Sequence, residues 1–210
     1  MVSKINKQRF EYIWHLYNTN TTDKDLPFEK HVPCDPSIWE YPTHLIEYNR
    51  LVFDLGKESF KDKEVLDIGC GICWYLGSME NLVKKYVGID PDDKSIKYAQ
   101  IMSKIVDVDS AICVGSAENI LCKADTIMML SVAHRIPTIE KVLKKFECEN
   151  VILDCWEEAN NIKMKDIITV LTEKGFLLSA QHLYDYIGKP DLGKSHSDSG
   201  KRYILHFHRQ

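Results

Sequence analysis

Two glycines one residue apart, and two acids at the ends of successive apolar runs, could together hold a nucleotide. An apolar run that contains Asp67 leads directly into Gly69 and Gly71, which is typical of a strand followed by a tight turn. Glycine lets the backbone turn sharply and lets a ligand come close, which a Cβ would obstruct. Asp90 ends the next apolar run, where a carboxylate can accept hydrogen bonds from ribose hydroxyls. These residues predict the opening of a nucleotide-binding βαβ unit.

The segments after this motif alternate between strand and helix patterns. We predict strands at 65–68, 86–90, 111–114, 125–130 and 150–154, and helices at 72–84, 92–103, 137–146 and 162–174. Strands that are apolar on both faces belong in a parallel sheet covered by helices. The last two strand-like segments, 176–187 and 202–208, are joined by a polar linker without helical periodicity, so we expect them to pair antiparallel.

The segment before the motif contains two helical patterns. One covers residues 5–17, and the other begins at Pro42 and stops at Gly56, with a proline-containing loop between them. This segment is too short and irregular to form a separate fold. We expect residues 1–60 to form a helical lid over the site and residues 61–210 to form the nucleotide-binding domain.

The composition favours a soluble, cytoplasmic protein. With 210 residues and 44% hydrophobic content, the chain can bury one sizeable core. A formal net charge of -4 gives no general basic field for nucleic acid. No apolar run approaches the roughly 20 residues that a membrane-spanning helix needs, so we expect no contact with a membrane.

The glycine turn does not fit a dinucleotide fingerprint. In the pattern G-x-G-x-x-G the third glycine lets the helix pack closely on the strand, and Trp74 stands at that place. Cys70 and Cys73 form a C-x-x-C in the turn, but a zinc site would need further ligands. His206 and His208 share one strand face near the chain end, where surface residues are expected. We therefore predict reduced cysteines and no metal site.

Four segments, in order, resemble the motifs of the class I S-adenosylmethionine (SAM)-dependent methyltransferase family. Residues 65–71 resemble the first motif, and residues 87–90 resemble the second, whose acid binds the ribose diol. Residues 114–119 resemble the adenine-contacting motif, with Ser116 where an aspartate is usual. Residues 124–134 resemble the fourth strand and the turn that leads to the substrate.

This resemblance implies a single-domain, Rossmann-like α/β fold. Its sheet would be seven-stranded and mostly parallel, in the order 3-2-1-4-5-7-6, with the last strand antiparallel. The implied cofactor is SAM, and the product is S-adenosylhomocysteine (SAH). The residues implied in cofactor binding are Asp67, Gly69, Gly71, Asp90, Ser116, Ala117, Glu118 and Ser131. Because a hydroxyl makes a weaker contact to the adenine amino group than a carboxylate, we expect micromolar SAM affinity and expect Glu118 to compensate for Ser116.

Methyl transfer from a sulfonium is an in-line displacement, so the protein mainly positions the reactants and excludes water. A base is needed only for an acceptor that arrives protonated, such as a hydroxyl or an ammonium. His134 follows the fourth predicted strand, at the carboxyl edge of the sheet, and is the candidate catalytic base. The alternative is that it only lines the turn before the next helix.

Four other side chains are candidates for acceptor binding: Trp39, Tyr41, Trp156 and His196. Trp39 and Tyr41 precede the helix that leads into the core and could stack on a flat acceptor or face the sulfonium. Trp156 comes just past the fifth predicted strand, and His196 lies in a long polar loop. The alternatives are plain packing for the aromatic residues and disorder for the loop.

We therefore predict an enzyme that transfers a methyl group from SAM to an oxygen or nitrogen of a small molecule. One alternative is an RNA methyltransferase, for example of tRNA, that uses Lys194, Lys201, Arg202 and Arg209 as a local basic patch. Another is a module that binds SAM and transfers nothing.

Overall fold

A computed structural model of the chain describes residues 50–54, 56–73, 75–104, 106–130, 132–156, 163–185 and 201–210. The strands are β1 (Glu64–Ile68), β2 (Lys85–Asp90), β3 (Ser110–Val114), β4 (Thr126–Met129), β5 (Asn150–Trp156), β6 (Phe176–Asp185) and β7 (Lys201–Arg209). They form one sheet in the order β3-β2-β1-β4-β5-β7-β6. Neighbours from β3 to β5 are parallel, and β7 is antiparallel to both β5 and β6. The predicted sheet order and the antiparallel final pair are confirmed.

The α-helices are α1 (Lys57–Phe60), α2 (Asp93–Ser103), α3 (Ile139–Lys144) and α4 (Met164–Glu173). Single helical turns of other types occur at Arg50–Asp54, Leu76–Met79, Ala117–Asn119 and Ala133–Arg135. The side chain of Asp92 accepts hydrogen bonds from the N–H groups of Lys94 and Ser95, so it caps donors that have no partner within α2. On the next turns Ile96 and Ala99 are buried, and this face packs α2 on the sheet.

The predicted helix at 72–84 is wrong. Among the described residues between β1 and β2, the helical structure is a 3-10 turn, Leu76–Met79. Cys73 and Asn81 have φ angles of 58° and 59°, and such left-handed residues interrupt a right-handed helix. Apolar residues of this segment are nevertheless buried, which explains why their spacing resembled that of a helix.

Two hydrophobic cores lie on the two faces of the sheet. One joins Leu66 of β1 to α3 and to Leu171 of α4. The other joins Val65 of β1 to α2 and to Val52 of the turn at Arg50–Asp54. At the edge of the sheet Val114 of β3 is 52% exposed, so β3 is less covered than the sequence predicted.

One histidine of β7 is buried. His206 lies in the core while His208 is exposed, so the prediction of two surface histidines is wrong for His206. A Cβ on Gly56 would come within 2.8 Å of Cε1 of this ring, and the ring of His182 meets it edge to face at a centroid distance of 5.7 Å. Burial, with a smaller contribution from His182, lowers the pKa of His206 to about 4. His206 is therefore neutral at neutral pH.

Three further features concern membrane-spanning helices, cysteines and possible metal ligands. Within the described ranges, no helix has the length and apolar character that crossing a membrane requires. The six cysteines in these ranges are free thiols. The same residues contain no group of three acidic, histidine or cysteine side chains that could hold a metal ion.

Candidate functional site

The carboxyl ends of β1 and β2 meet at one edge of the sheet and bring the first predicted site residues together. Ile68 at the end of β1 lies opposite Ile89 of β2. The N–H groups of Gly69 and Cys70 both donate to the carbonyl oxygen of Ile89, at 2.8 and 3.0 Å. The glycine turn is therefore fastened to the end of β2, immediately before Asp90.

Asp90, the candidate ribose ligand, is oriented by the backbone around it. Its Oδ2 accepts a hydrogen bond from the N–H of Gly71 at 3.0 Å, and its Oδ1 accepts one from the N–H of Asp92 at 2.8 Å. Each carboxylate oxygen has a second lone pair that can accept a hydroxyl proton. The N–H of Gly115 donates to the main-chain oxygen of Asp90 at 3.0 Å, which places the segment after β3 beside this carboxylate.

The two glycines of the turn are needed for different reasons, although both have positive φ angles, 76° at Gly69 and 53° at Gly71. A Cβ on Gly69 would lie 2.4 Å from Cγ1 of Val132, in the turn after β4. A Cβ on Gly71 would have no described atom within 4 Å. Packing against protein therefore explains Gly69, whereas at Gly71, the other glycine of the turn, no described residue fills the space beside the backbone.

Asp67 lies beneath the turn. Its side chain is 1% exposed, and its Oδ2 accepts a hydrogen bond from the hydroxyl of Tyr86 at 2.6 Å. Burial raises the pKa of Asp67 to about 7; the hydrogen bond from Tyr86 opposes this shift, and the charge of Asp90 adds to it. Asp67 therefore keeps its proton at pH values where an ordinary aspartate is ionised.

Ser116 and Glu118 act as one unit after β3. The hydroxyl of Ser116 donates to Oε2 of Glu118, and the N–H of Glu118 lies 3.4 Å from Oγ of Ser116. Oε1 of Glu118 accepts a hydrogen bond from the hydroxyl of Thr138 at 3.2 Å. The bond from Ser116 is the main cause of the lowered pKa of Glu118. Between them the side chain of Ala117 is buried in the core, so Ala117 can offer a ligand only its backbone.

A buried ion pair lies near the carboxyl end of β5. Oδ2 of Asp154 is 3.5 Å from Nη1 of Arg202, and the two side chains are 1% and 15% exposed. Arg202 lies opposite Trp156, the last residue of β5. Arg209, near the other end of β7, places its guanidinium 5.0 Å from the ring centroid of Phe176. Two arginines of the alternative basic patch therefore occupy opposite ends of one strand.

The remaining predicted residues are described only in part. His134 lies in the turn Ala133–Arg135, two residues after the Val132 that meets the glycine turn. The side chains of His134 and Trp156 lie outside the described residues, as do Trp39, Tyr41, Ser131 and His196 entirely.

The site also contains residues that the sequence did not predict. Val132 and Asp154 could be assigned to the site only from the fold. For Asp154, its place as an acid inside an apolar strand indicated a buried partner. For Tyr86 the signal was its spacing from Gly88, because residues two apart in a strand share one face. A Cβ on Gly88 would lie 3.0 Å from Cε1 of Tyr86, so this glycine makes room for the ring.

Comparisons with known proteins identify the family of the chain. A family model described as a methyltransferase domain matches residues 59–199. No curated protein sequence matches the chain significantly.

Solved structures share the fold at low sequence identity. The magnesium protoporphyrin IX methyltransferase from Synechocystis PCC 6803, solved with bound SAH, is 15% identical, with a TM-score of 0.63 over 98% of each chain. The N-methyltransferase NodS from Bradyrhizobium japonicum is 14% identical, with a TM-score of 0.58 over 80% of this chain and 97% of its own. A Pyrococcus horikoshii protein, provisionally assigned as an RNA methyltransferase, is 12% identical, with a TM-score of 0.58 over 78% of this chain and 84% of its own.

The match to the family model extends over well more than half of the chain and includes every motif described above. The chain therefore belongs to the methyltransferase domain family, and its sheet order confirms the predicted class I SAM-dependent methyltransferase fold.

Proposed function

We propose that this protein transfers a methyl group from SAM to an oxygen or nitrogen atom of a small molecule, with SAH as the second product. Two of the structural relatives above are named for small-molecule or N-methyl transfer. The chain spans nearly the whole length of both of these proteins. We propose the same type of reaction for this chain.

The turn between β1 and β2 fits the cofactor. Gly71 leaves a space that a Cβ would narrow, as close approach of a ligand to the backbone requires. Asp90, already oriented by two N–H groups, would accept the ribose hydroxyls. Glu118, held ionised by Ser116, would supply the carboxylate for the adenine amino group that Ser116 itself lacks. Asp67 lies close to where the cationic methionine part would enter.

SAM, when bound, supplies a methyl group that its sulfonium has already activated for displacement. The protein therefore needs to hold the acceptor in line with that methyl group and keep water out. His134, in the turn after β4, is the proposed base for a hydroxyl or ammonium acceptor. Ser131 in the same turn is proposed to contact the cofactor. Gly69 packs on Val132, so the turn after β1, which is proposed to bind the cofactor, directly contacts the turn after β4, which contains His134.

The acceptor is proposed to lie under a lid formed by residues 1–60, with Trp39 and Tyr41 facing it. Trp156 at the end of β5 and His196, from the segment that precedes β7, would complete its surroundings. Aromatic rings suit a flat acceptor and can also face the sulfonium. Trp156 ends β5 at the carboxyl edge of the sheet, where ligands of such folds bind, whereas Trp39, Tyr41 and His196 are proposed from the sequence alone.

The ion pair of Arg202 with Asp154 is the observation that favours a small molecule over RNA as the methyl acceptor. An arginine that serves a phosphate backbone needs a guanidinium open to solvent, but this one is 15% exposed and lies against a buried carboxylate. Arg209 lies about 23 Å away along the same strand, at roughly 3.3 Å per residue. A net charge of -4 adds no general attraction for RNA.

The experiment uses SAM labelled on its methyl group, incubated with the protein and a fractionated cell extract. Label that enters the low-molecular-mass fraction supports the proposal, and label that enters RNA or protein contradicts it. If SAM binds and no fraction is labelled, a non-catalytic binding module is supported instead. An Asp90→Ala variant serves as the control for label that does not depend on the cofactor site.

A further inference from the structure

Tyr86 is placed to reach Asp67 by the register of two strands. Tyr86 lies opposite Val65, and Gly88 lies opposite Asp67. Because Gly88 lacks a Cβ, the tyrosine ring lies along its own strand; a Cβ there would be 3.0 Å from Cε1 of the ring. The hydroxyl at the tip of the ring thus arrives 2.6 Å from Oδ2 of Asp67.

The hydroxyl of Tyr86 has only one proton to donate. The ring is fully buried, and burial raises the pKa of Tyr86 well above its ordinary value, so this proton remains at every pH considered below. The short distance to Asp67 places the proton in that bond, while Sγ of Cys73 lies farther from the hydroxyl, at 3.5 Å. Oδ2 of Asp67 therefore already accepts one hydrogen bond from a described residue, and Oδ1 is the less engaged oxygen for another donor.

The groups around Asp67 do not include a described cation. From the glycine turn Cys70 and Cys73 approach it, and from β2 Tyr86 and Asp90 do so. On the other side β4 presents the uncharged Met128 opposite it. A buried carboxylate whose described neighbours are only neutral or acidic groups complements a cation with hydrogen-bond donors. In SAM that group is the ammonium, since the sulfonium has no proton to donate.

We propose that Tyr86 is a positioning residue for the cofactor: it holds one oxygen of Asp67 and so directs the other toward the ammonium of SAM. The role of Asp67 rests on the proposed function, whereas the bond from Tyr86 is a property of this chain without its ligand. An ammonium is bound by ionised Asp67, so affinity should increase with pH as Asp67 ionises. The bond from Tyr86 favours the ionised form, and its loss should move this increase to higher pH.

The test compares wild-type protein with Tyr86→Phe, which keeps the ring and removes the hydroxyl. The affinity for SAH, which retains the ammonium and does not react, is measured by calorimetry from about pH 5.5 to pH 9. A hydrogen bond to a charged group corresponds to a shift of about one pH unit in the midpoint of the affinity profile. With the midpoint moved from about pH 7 to about pH 8, Tyr86→Phe should bind SAH about fivefold more weakly at pH 7, and within about twofold of wild type at pH 9.

Two further variants separate positioning from damage to the fold. Tyr98→Phe removes the hydroxyl of another buried tyrosine, on α2, and should leave the midpoint unchanged. Asp67→Asn cannot ionise at this position, so its SAH affinity should not show the increase near pH 7. The ammonium of SAH titrates equally in all four proteins, so only differences between their profiles count.

The possible outcomes are distinct. A Tyr86→Phe profile that superimposes on that of wild type, or that is weaker by the same factor at every pH, overturns the positioning role and leaves the proposed function intact. Wild-type protein that binds no SAH at any pH overturns the proposed function as well. The pKa of Asp67 in the ligand-free protein, followed by carboxyl-carbon NMR, should also be higher in Tyr86→Phe than in wild type. An equal pKa in the two proteins contradicts the proposal without reference to the ligand.

Discussion

Gly69 and Val132 are in contact so close that a Cβ on the glycine would lie 2.4 Å from Cγ1 of the valine. Gly69 opens the turn after β1, and Val132 belongs to the turn after β4 that carries His134. The turn proposed to hold the cofactor and the turn proposed to hold the base therefore touch directly. A displacement of one turn should therefore displace the other.

This contact predicts a specific pattern of stability. Gly69→Ala should destabilise the protein by about 2–4 kcal/mol, because overpacking adds to the cost of an alanine at a φ of 76°. Adding Val132→Ala should recover the overpacking part, about 1–2 kcal/mol, and leave the backbone cost. Urea unfolding of both single variants and the double variant measures this coupling. Strictly additive losses would show that the two turns are independent.

The pKa of Asp67 predicts how stability depends on pH. Burial raises this pKa from 3.8 to about 7, so between these values the folded protein keeps a proton that the unfolded chain has released. The contribution of Asp67 to stability therefore falls as pH increases from about 4 to about 7 and is constant above that range. Asp67→Asn should gain stability relative to wild type across this window, by up to about 4 kcal/mol at pH 8. Denaturant unfolding at pH 5 and pH 8 measures the difference, and an equal difference at both pH values would contradict the assigned shift.

The unit formed by Ser116 and Glu118 predicts that restoring the usual aspartate will fail. Ser116→Asp places a second carboxylate beside Glu118, where Ser116 now donates a hydrogen bond. Two like charges at this distance repel each other, so SAH affinity should fall about tenfold. Adding Glu118→Gln should restore the affinity, because one carboxylate then remains. Calorimetry on the single and double variants decides, and a Ser116→Asp variant that binds more tightly than wild type would show that Glu118 does not serve the adenine.

The position of His134 predicts a split between binding and turnover. As the proposed base, it contributes to proton removal and not to cofactor binding, so His134→Ala should lower turnover by about 10²–10⁴-fold. SAH affinity should stay within about twofold. Arg135→Ala, the exposed neighbour in the same turn, is the matched control, and turnover is measured with the labelled acceptor fraction. Unchanged turnover in His134→Ala would remove it from the mechanism.

The sequence predicted the strands well and the segment after the glycine turn badly, for a physical reason. Strands appeared as apolar runs bounded by polar residues, and a linker without helical periodicity correctly indicated the antiparallel pair of β6 and β7. Between β1 and β2, apolar spacing suggested a helix, but spacing does not report the backbone angle. Cys73 and Asn81 adopt φ angles of 58° and 59°. Neither residue type indicates a positive φ angle in a sequence as glycine does.

Contacts across strands were also beyond the sequence. The bond from Tyr86 to Asp67 depends on the register that sets Tyr86 opposite Val65 and on the space above Gly88. In the sequence, the spacing of Tyr86 from Gly88 indicates a shared strand face but not the partner of the hydroxyl. The acids and glycines of the motif were predicted because their chemistry is local, whereas the residue that orients Asp67 comes from another strand.

The central claim is that the space at Gly71 holds the cofactor, and the chain provides a matched control for it. Gly71 and Gly175 both have positive φ angles, 53° and 84°, and at both a Cβ would meet no described atom within 4 Å. Alanine should therefore strain the backbone at both positions, at a cost of about 1–2 kcal/mol, whereas only Gly71 is proposed to face the cofactor.

The decisive measurement is a calorimetric titration of SAH into wild type, Gly71→Ala and Gly175→Ala under the same conditions. We predict micromolar binding to wild type and to Gly175→Ala, and a loss of at least about tenfold in Gly71→Ala, where the added methyl group blocks close approach to the backbone. Equal binding by all three proteins, or no binding by wild type, would contradict the account.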